Sequence, residues 1–479
     1  FAYRKGFFEN PDNLNRLNLF AKYTGAIAEN QMLSVQVSNF SSLWNASGQI
    51  PERAVTDGSI TRFGSIDNSE GGKTSRFNAN IMLSTRTAKG DLIKNQLFFS
   101  HYKFDLFSNF TFYKNDTING DEINQNEDRN MYGYKGSYNI ERKFNKIIFN
   151  TELGIQLRYD DVKNSALSNV KRRNLFLNPI SLGDIHQLNA SAYIDENIDF
   201  GNYFRINAGL RSDVFSFDYN NKLDSSGYQR QQISKAIVCP KLNLYYTPNE
   251  SLQFFLLTGK SFHSNDTRVV VAQNGQEILP AAYGAEIGSH FKPVDKMYLS
   301  VSLWGLYLKQ EFVYVGDEAV VEASGASQRV GIDLGVRYDI ASWLYADADF
   351  NYAMPRALGV ASSENKIPLA PTVTSIGGLT IKMPLGIRTA LRYRYLGDRA
   401  ANEDNSSIAK GYTLFDGVIE YSYRKTSFSI AAENILNMKW NEAQFETESR
   451  LKGESEPVTE IHYTAGTPFF LKAKVVYSF

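Results

Sequence analysis

The chain has 479 residues with 51 basic and 51 acidic side chains, so no net positive field points to nucleic acid as a partner. No run of the sequence approaches 18 apolar residues, which excludes a helical membrane protein. Aromatic residues make up 13% of the chain, mostly Tyr and Phe. Tyr suits membrane interfaces, because one end of its ring is apolar and the other is polar.

Alternating apolar and polar residues recur along the chain and predict about 19 β-strands. In chain order, clear examples are 77–83, 149–159, 188–195, 297–307, 330–338, 344–352, 387–395, 415–423 and the final segment Thr467–Phe479. A soluble sandwich would pack the apolar faces together. Apolar faces about ten residues long instead match tilted strands that cross hydrocarbon. The pattern therefore predicts an all-β, transmembrane antiparallel β-barrel with a polar lumen.

The connections between these strands alternate in length. Long polar loops are expected near 40–74, 106–129, 160–183, 219–234, 264–278, 316–328, 355–369, 397–410 and 436–466. Short turns on one side and long loops on the other are typical of periplasmic turns and extracellular loops. If the last strand ends in the periplasm, the first strand starts outside. Since bacterial barrels have an even strand number, we expect 1–479 to be a single barrel domain that is incomplete at its N-terminus.

Five segments resemble the barrel of TonB-dependent outer-membrane receptors. They are TGKSFHSND (Thr258–Asp266), LPAAYGAEIGSHFKP (Leu279–Pro293), RVGIDLGVRYDI, IPLAPTVT (Ile367–Thr374) and AAENILNMKW (Ala431–Trp440). The resemblance rests on their order, their spacing and the terminal Phe479, and it covers essentially the whole chain. It implies strands 4–22 of a 22-stranded barrel whose plug domain and TonB-contacting box are not among these residues.

The same resemblance implies a location and partners. We expect the outer membrane of a Gram-negative bacterium, and the TonB complex as a partner through a region not present here. Further expected partners are the outer-membrane assembly machinery, lipid or lipopolysaccharide, and a small-molecule ligand. Tyr477 and Phe479 resemble the signal that the assembly machinery recognises.

Candidate ligand contacts are few. Arg388, Arg392 and Arg394 share one strand face and could attract an anion, but a structural ladder with Asp416 and Glu420 on the next strand is favoured. The aromatic residues Trp44, Tyr283, Trp440 and Phe445 could contact a ligand, as aromatic side chains often do in binding sites.

No catalytic or metal motif is visible in the sequence. The five histidines lack metal-ligand spacing, and the single Cys239 is expected to be a small buried or lipid-facing residue. The acidic loop 115–128 departs from an EF-hand at its third, fifth and sixth positions, so a solvated loop is favoured over a cation site. We predict no enzyme activity, no cofactor and no metal.

Two functions remain open from the sequence. One is TonB-dependent import of a scarce nutrient, such as a ferric siderophore, metal complex, vitamin or glycan. The alternative is a passive outer-membrane porin or channel. An outer-membrane enzyme or a surface adhesin is less favoured, because no acid–base cluster is arguable and only the long loop 436–466 would support adhesion.

Overall fold

A computed structural model describes residues 1–201, 203–223, 231–264, 267, 278–315, 320–323 and 325–479. Its strands in the first half are β1 (Ala2–Arg4), β2 (Leu14–Ala28), β3 (Gln31–Asn45), β4 (Ile50–Pro51), β5 (Gly71–Arg86), β6 (Leu92–Ser108), β7 (Ile123–Phe144), β8 (Ile147–Lys171), β9 (Leu175–Phe200), β10 (Phe204–Asn221), β11 (Gln231–Asn249) and β12 (Leu252–Phe262). A short helix, α1 (Glu52–Thr56), follows β4.

The second half continues with β13 (Ala281–Phe291), β14 (Met297–Leu308), β15 (Phe312–Val315), β16 (Val320–Ala323), β17 (Ser327–Ala341), β18 (Leu344–Ala357), β19 (Val373–Lys382), β20 (Ile387–Leu396), β21 (Arg399–Ala400), β22 (Ile408–Ala409), β23 (Tyr412–Tyr423), β24 (Thr426–Glu433), β25 (Asn441–Ser449), β26 (Val458–Ala465) and β27 (Phe470–Tyr477). Single 3₁₀ turns occupy Ser362–Glu364 and Pro384–Gly386.

One antiparallel sheet of 20 strands forms the body of the molecule. It contains every strand except β4, β15, β16, β21, β22, β25 and β26, and each of its strands pairs with its neighbour along the chain. Apart from the three-residue β1, these strands number 19, which confirms the predicted count and the all-β barrel architecture. Alternation of side chains along consecutive antiparallel strands is sufficient to give this meander.

Short turns gather at one end of the sheet and long connections at the other. Turns such as 145–146, 342–343 and 424–425 join strands at the first end, as predicted. The predicted loop 160–183 is wrong, because β8 and β9 continue through it and leave only 172–174 as the connection. Parts of the predicted loops 219–234, 264–278 and 316–328 lie outside the described residues.

The outward face of the sheet is apolar and exposed. Large side chains such as Leu303, Leu391 and Ile419 lie on this face, each more than 45% exposed. Rows of aromatic rings in contact border it, with Phe99, Tyr132, Tyr159 and His186 toward the loop end, and Phe204, Tyr246 and Phe254 toward the turn end. Aromatic belts above and below an apolar band are what a membrane-crossing barrel requires.

Buried apolar residues lie near the loops rather than at the centre of the barrel. One cluster of buried side chains, including Phe215, Phe217 and Leu279, lies on the upper inner wall. A second joins Ile50, Tyr463 and Ala465 with side chains of the loop 46–70. Since β4 adds to the hairpin of β25 and β26, the first and last long loops meet, and the sheet curves far enough to bring its two ends together.

In the described part of the chain we find no helix that has both the length and the apolar character needed to cross a membrane.

Candidate ligand-binding site at the barrel mouth

The three arginines predicted to share a face do so, and two of them form ion pairs with carboxylates on other strands. The register places Arg388 opposite Glu420 and Arg392 opposite Asp416. Arg394, however, is the residue that pairs with Asp416, with Nε 3.2 Å from Oδ2, while Arg392 reaches Asp347 two strands away. Among described residues, Arg388 makes no ion pair.

A neighbouring ion pair extends this arrangement along the same face. Arg337 on β17 donates to Asp349 on β18 at 2.8 Å. Together with Arg392–Asp347 and Arg394–Asp416, it forms a ladder of paired charges across β17 to β23. The ladder agrees with the structural interpretation of the arginines, since opposite charges on adjacent strands stabilise a sheet. It leaves Arg394 half-exposed and available to solvent in the lumen.

A second polar region, on the inner wall of β8 to β11, was not predicted from the sequence. It surrounds a cleft of about 500 Å³ that Tyr193, Arg211 and Lys241 line with Glu152 and Asp195. The Tyr193 hydroxyl donates to Glu152 at 2.5 Å, and the Lys241 ammonium lies 2.5 Å from Asp195. These residues occupy the face opposite to the exposed Ile194 and Leu210, so they point into the barrel.

Arg211 holds the centre of this cleft. Its guanidinium donates to Asp213 at 2.6 and 2.8 Å and to the Ser191 hydroxyl at 2.9 Å. The partly buried Cys239 lies opposite Arg211 in the strand register and packs against the apolar cluster above it. The sequence carried one signal for this region: charged residues alternate with apolar ones in both β9 and β10.

An apolar surface lies directly above the cleft. Phe215 stacks on Phe217 with ring centroids 5.6 Å apart, and Phe262 meets Phe215 edge-on at 5.6 Å. Ile278 and Leu279 cover these rings from the loop side. The inner wall therefore offers polar groups of both signs below and aromatic carbon above, which suits a ligand with both kinds of surface.

The predicted aromatic contacts are spread around the mouth rather than gathered. Trp440 is only 8% exposed, and its Nε1 donates to the Thr467 carbonyl at 2.9 Å, so it supports the loop rather than facing solvent. Tyr283 lies on the outward face of β13 beside Tyr307 and therefore does not face the lumen. Trp44 is the penultimate residue of β3, and Phe445 lies in β25.

Loops from distant parts of the sequence lock together over one side of the mouth. Arg53 of α1 donates to both carboxylate oxygens of Glu454 at 2.8 Å and to Glu460 at 2.5 Å. Burial alone would lower the pKa of Arg53, but the bonds to both carboxylates raise it above its usual value. The same bonds hold the pKa of Glu454 below its usual range. We call these three residues the loop clasp.

A buried histidine lies behind the loop clasp. His462 accepts or donates a hydrogen bond with the Ser449 hydroxyl at 2.9 Å and stacks on Phe112 with ring centroids 5.9 Å apart. Burial, reinforced by the positive charge of Arg53, lowers the pKa of His462 to about 3. It is therefore neutral at physiological pH, and the loops around it are packed as a neutral core.

The acidic loop forms turns within itself rather than converging on a cation. Asp116 accepts from the backbone N–H groups of Ile118 and Asn119, and Asp121 accepts from those of Asn115 and Asp116. Across the described ranges, no three His, Cys, Asp or Glu side chains are placed to hold a metal ion.

Comparisons with known proteins agree with the β-barrel architecture. A sequence model of a protein family, described as TonB dependent receptor-like, beta-barrel, matches residues 7–437. A search of curated proteins found no match.

Solved structures similar to this fold include one transporter and two receptors. The ferric citrate transporter FecA matches with a TM-score of 0.81 at 14% identity, covering 98% of this chain and 71% of that one. The siderophore receptor PiuA from Acinetobacter baumannii matches with 0.79 at 12% identity, covering 99% and 75%. The ferric yersiniabactin uptake receptor FyuA from Yersinia pestis matches with 0.73 at 12% identity, covering 100% and 74%.

Proposed function

Because the chain belongs to the family of TonB-dependent receptor β-barrels, we propose that it serves energy-coupled import of a scarce nutrient across the outer membrane. The proposed nutrient is a ferric siderophore, another metal complex, a vitamin or a glycan. The TonB complex, contacted outside these residues, would supply the energy, and the assembly machinery would insert the barrel. The long loops are assigned to the extracellular side.

The inner-wall cleft is the observation that carries this proposal. A passive channel needs only an open polar path, whereas the cleft combines Tyr193, Arg211 and Lys241 with a ceiling of Phe rings. Such a mixture favours retention of a solute of several functional groups. Arg394, whose side chain is 45% exposed toward the lumen, is retained as a proposed contact. Of the predicted aromatic residues, Trp44 and Phe445 remain proposed contacts, since neither is fully buried.

The test is uptake by cells that carry the native full-length protein. Radiolabelled candidate nutrients, beginning with ferric siderophores, are supplied to isogenic strains with and without the receptor. Uptake should require the receptor and should stop when TonB is deleted or the proton-motive force is collapsed. Uptake that persists without TonB, together with a steady conductance in planar bilayers, would replace the proposal with the passive-channel alternative.

The site is tested by substitutions on the inner wall. Arg211→Met removes the guanidinium at the centre of the cleft. The affinity for the imported nutrient should fall by about tenfold or more, a loss of about 1.4 kcal/mol or more in binding free energy. The matched control is Tyr307→Phe, which changes an outward-facing side chain. Equal uptake affinity in the Arg211 variant and the wild type would place the ligand elsewhere.

A further inference from the structure

A small cavity on the outer side of the barrel has three basic residues in its lining. It measures about 270 Å³, roughly nine times the share of one liquid water, which is about 30 Å³. Strand β18 supplies Tyr352, Met354 and Arg356 to its wall. The loops 358–372 and 397–411 close it from above with Lys366 and Arg399.

The charge in this cavity is unbalanced. Three cations, Arg356, Lys366 and Arg399, face it with one carboxylate, that of Asp398. Asp398 is already engaged, because it accepts from the Gly411 N–H at 2.7 Å and lies 3.7 Å from the Lys410 ammonium. None of the three cations forms an ion pair with any residue that the structure describes.

Arg399 is the clearest sign of a missing partner. Its Nη1 is buried without a hydrogen-bond acceptor among the described residues. Burial also lowers the pKa of Arg399 from its usual value, which expresses the cost of removing an unpaired guanidinium from water. Arg356 has only a neutral partner, the Asn365 side-chain oxygen at 3.2 Å in the amide orientation that satisfies both groups. An anion in the cavity would offset the desolvation of Arg399 and balance the charges of the more exposed Arg356 and Lys366.

The position of the cavity identifies the level at which that anion would lie. Tyr352 and Met354 are exposed on the outward face of β18, opposite the partly exposed Ile332 and the exposed Val330 on β17. Arg356 lies on the same face two residues further toward the loops, or about 7 Å along the strand. The cations therefore stand directly above the lipid-facing band, where the headgroups of the outer leaflet begin.

We propose that Arg356, Lys366 and Arg399 form a binding site for a phosphate group, supplied by an anionic lipid headgroup of the outer leaflet. Arginine forks match the oxygens of phosphate in a bidentate manner, and Lys366 adds a mobile point charge. The proposal rests on the membrane placement of the barrel and is independent of which nutrient is imported. It assigns a lipid contact to the wall of a receptor whose inner face is the candidate transport site.

The test measures lipid binding to the purified full-length protein in detergent by native mass spectrometry. Two probes are lipid A with its phosphates and the same lipid after enzymatic dephosphorylation. The third probe is inorganic phosphate, whose binding is measured by calorimetry. Wild type should bind the phosphorylated lipid at least tenfold more tightly than the dephosphorylated one. The double variant Arg399→Met with Lys366→Met should lose that preference, whereas Lys163→Met, at another exposed rim lysine, should keep it.

Each outcome either supports or overturns the proposed phosphate site. Equal binding of both lipids, or an unchanged preference in the double variant with a normally folded barrel, overturns the proposal. Saturable inorganic phosphate binding that the double variant loses, without lipid binding, supports the phosphate site and assigns it to a soluble ligand. If Arg399→Met does not fold, Lys366→Met alone, at an exposed position, should still weaken lipid binding measurably.

Discussion

Replacing Arg53 by Met should release the loop clasp without unfolding the barrel. The side chains of Arg53, Glu454 and Glu460 are 17%, 29% and 20% exposed, so this network lies between a surface pair and a buried one. Exposed pairs contribute about 0–1 kcal/mol, and breaking a fully buried pair costs about 3–5 kcal/mol. We expect a loss of about 2–3 kcal/mol, because two carboxylates are left partly buried and facing each other without a cation.

Hydrogen–deuterium exchange on the full-length protein measures this loss locally. Amides of β25 and β26 should exchange about 30- to 140-fold faster in the Arg53→Met variant, since each 1.4 kcal/mol is a factor of ten. Amides of the membrane-crossing strands should be unchanged. Lys452→Met is the control, because it removes an exposed cation from the same loop without touching the clasp.

A null result in this experiment would refute the reasoning. If β25 and β26 keep their protection in the Arg53→Met variant, the loops are held by the apolar cluster of Ile50, Tyr463 and Ala465 alone. If Lys452→Met has an equal effect, the change reflects loss of net charge rather than of defined hydrogen bonds.

Three further outcomes are expected. Because the pKa of His462 falls from 6.5 to about 3 on folding, the folded loops bind fewer protons than the unfolded ones. The free energy of unfolding of these loops should fall by up to about 1.4 kcal/mol per pH unit below 6.5, which amounts to about 2 kcal/mol at pH 5. Hydrogen exchange measures this pH dependence, and His462→Gln should abolish it. Arg392→Met leaves Asp347, which is 10% exposed, without its cation and should lower the free energy of unfolding in urea by about 2–4 kcal/mol. The control Arg388→Met should lower it by less than about 0.5 kcal/mol. Deleting Phe479, which is fully exposed, should lower the outer-membrane level several-fold while refolding in detergent is unchanged; normal membrane levels would contradict the assembly-signal prediction.

Strand pattern and strand count were readable from the sequence because they depend on local chemistry. Val330, Ile332 and Leu334 must share a face whatever their neighbours are, since side chains alternate along a strand. Facing residues on neighbouring strands were also partly readable, as with Arg388 and Glu420, because alternation places both on the polar faces of consecutive strands.

The bounds of the long loops were harder to predict from the sequence. The segment 160–183 contains polar residues on both faces of β8 and β9, and such residues are typical of loops. Within the structure they form a long hairpin, because the strands continue beyond the membrane, where both faces of a sheet can be hydrated. Composition alone does not distinguish a hydrated strand from a loop.

The choice of partners was decided only by the tertiary structure. Arg53 meets Glu454 and Glu460 although about 400 residues separate them, and Arg399 is left without an anion although acidic residues surround it in the sequence. The sequence by itself determined an all-β, membrane-facing barrel, because period-two alternation is a property of each strand. Curvature of the sheet decided which loops meet, which charges pair and where cavities remain, because those depend on distances between residues that no local pattern encodes.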